Sequence, residues 1–179
     1  MKGIIFNLLE EVVTQHYGAD TWDALLDAAG LDGAYTSLGS YADADIVKLV
    51  TAASAALGQP PEQIMRWFGR EAMTRLAERY PAFFSAHQNT RNFLLTLNNI
   101  IHPEVQKLYP GAATPVFDFD NSDPDVLGIG YQSARKMCAL AEGFMEGAAD
   151  NFDEKLAIDH VTCMHRGAPK CQFQVRFSN

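Results

Sequence analysis

The stretch YPGAATPVFDFD, residues 109–120, separates two kinds of sequence. Before it, apolar residues recur at the spacing of amphipathic helices. After it, short segments alternate apolar with polar or small residues and are separated by turn-forming residues, which is typical of half-buried strands. The change predicts an α+β protein with a hinge near residues 110–115.

The amino-terminal part is predicted to consist of helices punctuated by the segments LGSY, GQPP and RYPAF. Pro61, with Glu62 directly behind it, is typical of the first turn of a helix. The predicted helices span residues 2–17, 20–29, 43–57, 61–79, 89–101 and 103–109.

The segments PVFDFD, DVLGIGY, KLAIDHVTC and CQFQVRFS are predicted strands. Between the second and third, RKMCALAEGFMEGAADNF is long and strand-poor, and we expect a helix there. The β-β-α-β-β order predicts an antiparallel sheet that carries one helix. We therefore expect a single domain over residues 1–179, in which a helical amino-terminal subdomain packs on a carboxy-terminal subdomain with the sheet and helix.

Length and composition exclude several classes of protein. A chain of 179 residues can bury one substantial core. A net charge of −8 and a pI near 5 disfavour nucleic-acid binding, which needs a clustered basic surface. The opening MKGIIFNLLEEVV has amphipathic spacing, and no apolar run approaches the roughly 18 residues of a membrane span. The three cysteines suit a reducing compartment, so we expect a soluble cytoplasmic protein.

His102 lies among apolar residues directly before a proline, in NNIIHPEVQKLYPGA at residues 98–112. Proline disfavours the α conformation in the preceding residue and suits the first position of a helix. One helix is therefore predicted to end near Ile101 and another to begin at Pro103. His102 alone fits a packed core residue, a helix cap, a catalytic base or a metal ligand. A neutral imidazole among apolar residues is also how proteins hold haem iron.

About thirty residues after His102, the segment GIGYQSARK contains Tyr131, Ser133 and Arg135 at i, i+2 and i+4. On an extended strand all three side chains project to one face. Two hydroxyls and a guanidinium fork on one face suit the binding of carboxylates. A solvated strand face is the alternative interpretation.

A lone histidine followed at this distance by Y-x-S-x-R, in a chain of this size that opens MKGIIF and changes from helical to mixed texture, resembles the H-NOX family. These are the haem nitric oxide/oxygen-binding domains, and the resemblance covers essentially the whole chain. It implies a b-type haem held between subdomains at approximately residues 1–60 and 61–179. It further implies a stand-alone bacterial protein.

The resemblance also implies roles for individual residues. His102 is expected to be the proximal iron ligand, because it matches the family's histidine. The haem propionates are expected to bind Tyr131, Ser133 and Arg135. Ile5 and Pro115 are expected to press against the porphyrin and bend it out of plane.

The identity of the gas depends on the distal side of the haem. Bound oxygen carries partial negative charge and needs a hydrogen-bond donor, whereas nitric oxide depends on one much less. Oxygen-binding relatives supply a tyrosine at the position that matches Leu140 here, although Tyr80 or Thr74 remain possible donors from another helix. We expect a nitric oxide sensor that excludes oxygen and switches by release of His102 from the iron, with a shift of the subdomains.

A second cluster of potential metal ligands lies near the carboxyl end. His160, Cys163 and Cys171 in IDHVTCMHRGAPKC have spacings similar to those of zinc ligands. A subset of H-NOX proteins has a redox-sensitive Cys3His zinc site, which Cys138 would complete here. His165 competes with His160, because on a regular strand His165 and not His160 shares a face with Cys163.

The sequence contains no Gly-rich phosphate loop, no nucleophile elbow and no convincing carboxylate pair, so we expect a sensor and not an enzyme. A zinc or thiol redox sensor that works through the Cys/His cluster is the alternative. Because the sequence ends at Asn179 without an effector domain, we expect the signal to pass to a separate protein. The resemblance implies a histidine kinase or an enzyme that makes or degrades cyclic di-GMP.

Overall fold

A computed structural model describes residues 1–178 of the chain. Helices make up the part of the chain before the hinge, and a four-stranded sheet with one long helix follows it. The helices are α1 Gly3–Tyr17, α2 Ala19–Ala29, α3 Asp43–Leu57, α4 Pro61–Arg79, α5 Pro81–Ser85, α6 Thr90–Leu95, α7 His102–Leu108 and α8 Cys138–Asn151. The strands are β1 Val116–Asp120, β2 Val126–Gln132, β3 Lys155–Thr162 and β4 Cys171–Ser178.

The predicted α+β class is confirmed, and two helical segments differ from the prediction. The segment RYPAF is not a simple break, because Pro81 occupies the first turn of the short helix α5. The predicted helix 89–101 is divided into α6 and a π-helical turn, Leu97–Ile101. Among residues 1–178, no helix combines the length and the apolar character needed to cross a membrane.

The π-helical turn leads directly into α7. Its hydrogen bonds reach back five residues, from the amide of Ile101 to the carbonyl of Thr96 at 3.2 Å and from His102 to Leu97. Pro103 lacks an N–H, and its ring crowds the carbonyl four residues earlier, so a wider turn is favourable here. His102 itself is helical, with φ −63° and ψ −41°, and is the first residue of α7.

The sheet has the order β1-β2-β4-β3, and every neighbouring pair is antiparallel. One face is buried against α6 and α8, since residues on this face belong to a core cluster with those helices. The central pairing places Ile129 opposite Phe173 and Leu127 opposite Val175. This alternation fixes the register, because a slip of one residue would expose the whole apolar set.

Buried side chains form two clusters. The first joins α1, α2, α3 and the first half of α4, and the second joins the sheet, α5, α6 and most of the buried face of α8. Helices α4 and α8 contribute to both clusters and therefore connect them. The subdomain boundary near residue 60 stays a prediction.

Helices α4 and α8 pack unusually close together. A Cβ atom on Gly143 of α8 would lie 2.0 Å from the backbone oxygen of Arg66 on α4, and one on Gly69 would lie 2.6 Å from the oxygen of Leu140. Glycine is required for this approach because any side chain would force the backbones apart. The short separation allows side chains of α4 to reach carboxylates on α8.

Candidate functional site

A cavity of about 270 Å³ opens between the two clusters of buried side chains. Most of its lining is apolar and comes from α1, α4, α7, α8 and the segment that precedes β1. The residues that the sequence singled out for haem binding all line it, namely Ile5, His102, Pro115, Tyr131, Ser133, Arg135 and Leu140. The fold therefore brings together residues separated by up to 135 positions in the sequence (140 − 5).

His102 is partly buried and remains neutral near pH 7. Burial lowers its pKa to about 4, while the backbone of Pro115 acts in the opposite direction. Its ring packs beside Phe117 on β1, with 5.8 Å between the ring centroids. A neutral imidazole retains a nitrogen lone pair, which is the form that binds a metal.

Asn98 attaches the π-helical turn to β1. Its side-chain amide donates to the carbonyl of Phe117 at 2.6 Å, and the amide of Phe117 donates to the Asn98 oxygen at 3.2 Å. Because Phe117 also contacts the His102 ring, these hydrogen bonds fix the start of α7 relative to the sheet. No motif or spacing in the sequence pointed to Asn98.

Tyr131, Ser133 and Arg135 converge on the cavity, but not along one strand. The prediction of a continuous strand face is wrong, because β2 ends at Gln132 and Arg135 lies in a turn. In that turn the amide of Arg135 donates to the Ser133 hydroxyl at 3.2 Å. A serine hydroxyl favours such local turns over continued strand, which explains the difference. Burial raises the pKa of Tyr131 to about 12, so its phenol remains a hydrogen-bond donor.

The Arg135 guanidinium has two partners within the protein. It donates to the Asp43 carboxylate at 2.8 Å and to the carbonyl of Ala113 at 2.6 Å. Asp43 also accepts a hydrogen bond from the amino-terminal ammonium of Met1 at 2.6 Å. Burial acts to raise the pKa of Asp43, but these hydrogen bonds outweigh burial and the net shift is downward. Sequence reasoning missed Asp43, since it lies at the start of α3 and far from the motif.

These features fit a haem group. The walls are apolar, one neutral imidazole faces the cavity, and a guanidinium and hydroxyls stand at its edge. An iron porphyrin presents an apolar ring, one axial coordination position for histidine, and two carboxylates. The apolar lining suits the ring, and His102 suits the axial position. The two carboxylates are matched by Tyr131, Ser133 and Arg135.

The second predicted cluster is also assembled. Ligand atoms of Cys138, His160, Cys163 and Cys171 all lie within 4.8 Å of one another. The sulfur atoms of Cys138 and Cys163 are 3.9 Å apart. Sulfur atoms in a tetrahedral zinc site with bonds of about 2.3 Å stand about 3.8 Å apart, so this spacing suits zinc.

The structure places His160, and not His165, in this cluster. The pairing of β3 with β4 shifts register between His160 and Thr162, which changes the face relation that a regular strand would impose. His165 lies outside the cluster, with its Nε2 atom 2.7 Å from the carbonyl of Lys136. The Nε2 atom of His160 is buried and has no hydrogen-bond partner within residues 1–178. A buried ring nitrogen without a partner is costly unless it binds a metal.

The three thiols differ in acidity. Burial raises the pKa of Cys138 to about 12 and also raises that of Cys171. Burial acts in the same direction on Cys163, but hydrogen bonds from the His165 backbone and the other two thiols outweigh it, so its pKa is lowered. Cys163 is therefore the thiol that ionises first, and the thiolate is the form that binds zinc or reacts with oxidants.

The family model described as haem-NO-binding matches residues 2–160. The chain belongs to the H-NOX family. Its fold is that of haem-binding gas sensors, and the family resemblance read from the sequence is confirmed.

Solved H-NOX structures match this chain along its whole length. The crystal structure of an H-NOX protein from S. oneidensis in the Fe(II)NO state has 33% identity and a TM-score of 0.94, with 100% of both chains covered. The NMR structure of a Shewanella oneidensis H-NOX domain in the Fe(II)CO state has 32% identity and a TM-score of 0.90, with 100% of this chain and 99% of that chain covered. The unliganded Fe(II) H-NOX protein from K. algicida has 23% identity and a TM-score of 0.87, covering 100% and 97%, and supports the fold alone.

Two tyrosines line the H-NOX cavity, and only one of them, Tyr80, was a candidate donor from the sequence. Tyr80 lines the cavity, and its hydroxyl is hydrogen bonded to that of Tyr109, which is buried. Thr74, the other candidate donor from the sequence, is exposed to solvent. Its hydroxyl donates a hydrogen bond to the carbonyl of Arg70 at 3.4 Å. Leu140 presents only a hydrocarbon side chain. The Tyr80 hydroxyl is thus engaged by another protein group.

We expect Tyr80→Phe to destabilise the fold by about 1–3 kcal/mol, because it leaves the buried Tyr109 hydroxyl without its partner. The double variant Tyr80→Phe/Tyr109→Phe should be more stable than Tyr80→Phe, since it removes the unpaired group as well. Denaturant unfolding of wild type, both single variants and the double variant measures these differences. Additive losses in the double variant would contradict the pairing.

Proposed function

We propose that this H-NOX chain is a nitric oxide sensor that binds the gas at ferrous haem, excludes oxygen, and signals to a separate effector protein. The observation that carries the proposal is that a neutral His102 and Leu140 line one apolar cavity. By family resemblance, Leu140 occupies the position at which oxygen-binding relatives have a tyrosine. The haem would lie between subdomains of approximately residues 1–60 and 61–179. Ile4 and Ile5 from the first and His102 from the second all line the cavity, which supports this arrangement.

Each predicted residue has a physical role in this proposal. Ferrous haem b, when bound, supplies an iron atom that takes up a diatomic gas. His102 offers its ring nitrogen as the proximal ligand, because burial keeps the imidazole neutral. Ile5 and Pro115 would contact the porphyrin. Arg135, together with Tyr131 and Ser133, would bind the propionates, and Arg135 would then share or exchange its contacts with Asp43 and Ala113.

Gas selectivity follows from the hydrocarbon side chain of Leu140, which takes the place of the tyrosine of oxygen-binding relatives. The Tyr80 and Tyr109 hydroxyls are hydrogen bonded to each other. An oxygen ligand therefore gains no hydrogen bond from position 140, while nitric oxide needs none. The same apolar lining disfavours peroxidase-type chemistry, so we propose a sensor and not an enzyme.

The output of the sensor is the position of His102. His102 begins α7 directly after the π-helical turn, and Asn98 ties that turn to β1. A displacement of the imidazole therefore moves α7 and strains its attachment to the sheet. We propose that the effector, a histidine kinase or a cyclic di-GMP enzyme by family resemblance, binds the surface that this change alters.

The three cysteines form no disulfide with one another, which suits the bacterial cytoplasm as the location of the protein.

The visible absorption spectrum of the reduced, haem-containing protein in argon, air and nitric oxide tests the proposal. We expect the spectrum to change with nitric oxide and to remain the same in air. His102→Ala should abolish the histidine-ligated ferrous spectrum, because the axial nitrogen is removed. His16→Ala is the control, since that histidine lies on α1 and pairs with Glu71. A stable oxygen complex would reject the selectivity, and an unaltered spectrum in His102→Ala would reject the ligand.

Leu140→Tyr should create oxygen binding, because it places a phenol donor where oxygen-binding relatives have one. Leu140→Phe is the matched control, with the same ring but no hydroxyl. Oxygen titration of the reduced proteins should show a complex only for Leu140→Tyr. If both variants bind oxygen equally, cavity shape and not the donor controls selectivity.

A second candidate function is a zinc or thiol redox sensor at the Cys/His cluster. Four ligand atoms within 4.8 Å and the unpartnered Nε2 atom of His160 favour it. A second cavity of about 610 Å³ is lined by His160, Cys138 and Cys163, which gives oxidants a route to the thiols. Zinc would hold the three sulfur atoms and one imidazole, and oxidation of a thiolate would release it. This function and gas sensing at the haem are compatible in one chain.

We expect one zinc per reduced chain and a loss of zinc in His160→Ala, because one of four ligands is removed. His165→Ala should keep its zinc, since His165 bonds to the carbonyl of Lys136 and stands outside the cluster. Elemental analysis of the purified reduced proteins measures the stoichiometry. Equal zinc content in wild type and His160→Ala would exclude His160 as a ligand.

A further inference from the structure

Glu142 is a buried carboxylate that neither the haem cavity nor the predicted metal ligands account for. It is 7% exposed, lies on α8 and lines the second cavity beside Cys138 and His160. We propose that Glu142 is a positioning residue that holds His160 in the orientation and tautomer required for zinc. This inference rests on the zinc site proposed above and adds to it a residue that binds no metal itself.

The helix places Glu142 correctly for this role. Cys138 and Glu142 are four residues apart on α8, so they share one face, one turn apart. One helical face therefore supplies both a thiol ligand and a carboxylate for the opposing histidine. His160 comes from β3, and its ring reaches this face beside Phe173, with 4.4 Å between the ring centroids.

The hydrogen bond determines which nitrogen of His160 is free. The Nδ1 atom lies 2.8 Å from Oε1 of Glu142. An ionised carboxylate only accepts hydrogen bonds, so Nδ1 carries the proton in this pair. A zinc ligand must be a neutral ring, and with the proton on Nδ1 its lone pair lies on Nε2. Nε2 is the buried atom that has no partner within residues 1–178 and belongs to the Cys/His cluster. Carboxylates that accept from the second nitrogen of a ligand histidine orient the ring and raise its basicity.

Arg66 on α4 holds the carboxylate in place. Its Nη1 atom donates to Oε2 of Glu142 at 2.9 Å, so the two carboxylate oxygens serve two different partners. The same guanidinium makes two bonds to Glu146, at 3.1 Å and 2.7 Å. Glu146 therefore already provides a bidentate partner for Arg66. The feature that distinguishes Glu142 is its contact with His160.

Glu142→Ala in the haem-loaded full chain tests the inference, with zinc as the probe and a chelator as competitor. We expect zinc affinity to fall about 10- to 100-fold, the usual cost of losing the partner of a ligand histidine. Glu142→Gln should recover part of the affinity, because its amide oxygen still accepts from Nδ1. Glu146→Ala is the matched control: it removes a carboxylate from Arg66 without touching His160, and its zinc affinity should stay near that of wild type.

The nitrogen NMR signals of the His160 ring report which nitrogen is protonated and which binds zinc. A carboxylate with only a structural role would not change these signals. In zinc-loaded wild type we expect a protonated Nδ1 and a metal-bound Nε2. Three results would each overturn the inference. Glu142→Ala could bind zinc as tightly as wild type, Glu146→Ala could lose as much zinc affinity as Glu142→Ala, or the zinc could be bound to Nδ1. A wild type that takes up no zinc would overturn the zinc proposal and the inference together. If Glu142→Ala does not fold, the Glu142→Gln affinity and the wild-type ring signals still decide it.

Discussion

The close contact between α4 and α8 is the constraint on which the rest of the structure depends. Gly143 allows the backbones to meet where a Cβ atom would lie 2.0 Å from the Arg66 oxygen. A side chain there would overpack the interface, which typically costs about 1–3 kcal/mol. With this separation fixed, Leu140 and Phe144 of α8 reach the haem cavity, together with Met73 of α4. On another face of the same contact, charged groups of the two helices pair.

The surroundings of His102 show how a polar group is kept in a mostly apolar cavity. The imidazole is neutral because burial lowers its pKa to about 4, so the protein need not solvate a cation there. The π-helical turn accommodates Pro103 and ends at the residue before His102. Asn98 then satisfies two backbone groups of Phe117 from inside that turn. Local backbone geometry and side-chain hydrogen bonds together determine where the ring points.

Much of the fold follows from sequence periodicity, and most of the errors have local physical causes. The bounds of α1, α3 and α4 were predictable because apolar spacing and end signals such as Pro61 agree with the packed structure. The Y-x-S-x-R residues all line the cavity, but the strand geometry predicted for them is wrong, since Ser133 turns the chain out of the strand. The choice of His160 over His165 rested on the family resemblance, because the residue types in that segment do not reveal the register shift between His160 and Thr162. Asp43 and Glu142 depend on contacts between distant elements, and periodicity carries no information about such pairs.

The two candidate sites are joined by one short segment as well as by α8. Arg135 and Met137 line both cavities, and Cys138 follows directly. Between them Lys136 has a φ of 52°, a left-handed conformation that costs a residue with a side chain roughly 1 kcal/mol or more. The His165 ring bonds to the Lys136 carbonyl and helps to hold this conformation. Because so few backbone dihedrals separate Arg135 from Cys138, a change in the position of one constrains the other. The backbone of Arg135, at the edge of the haem cavity, is therefore three residues from Cys138 in the Cys/His cluster, and Arg135 itself lines both cavities.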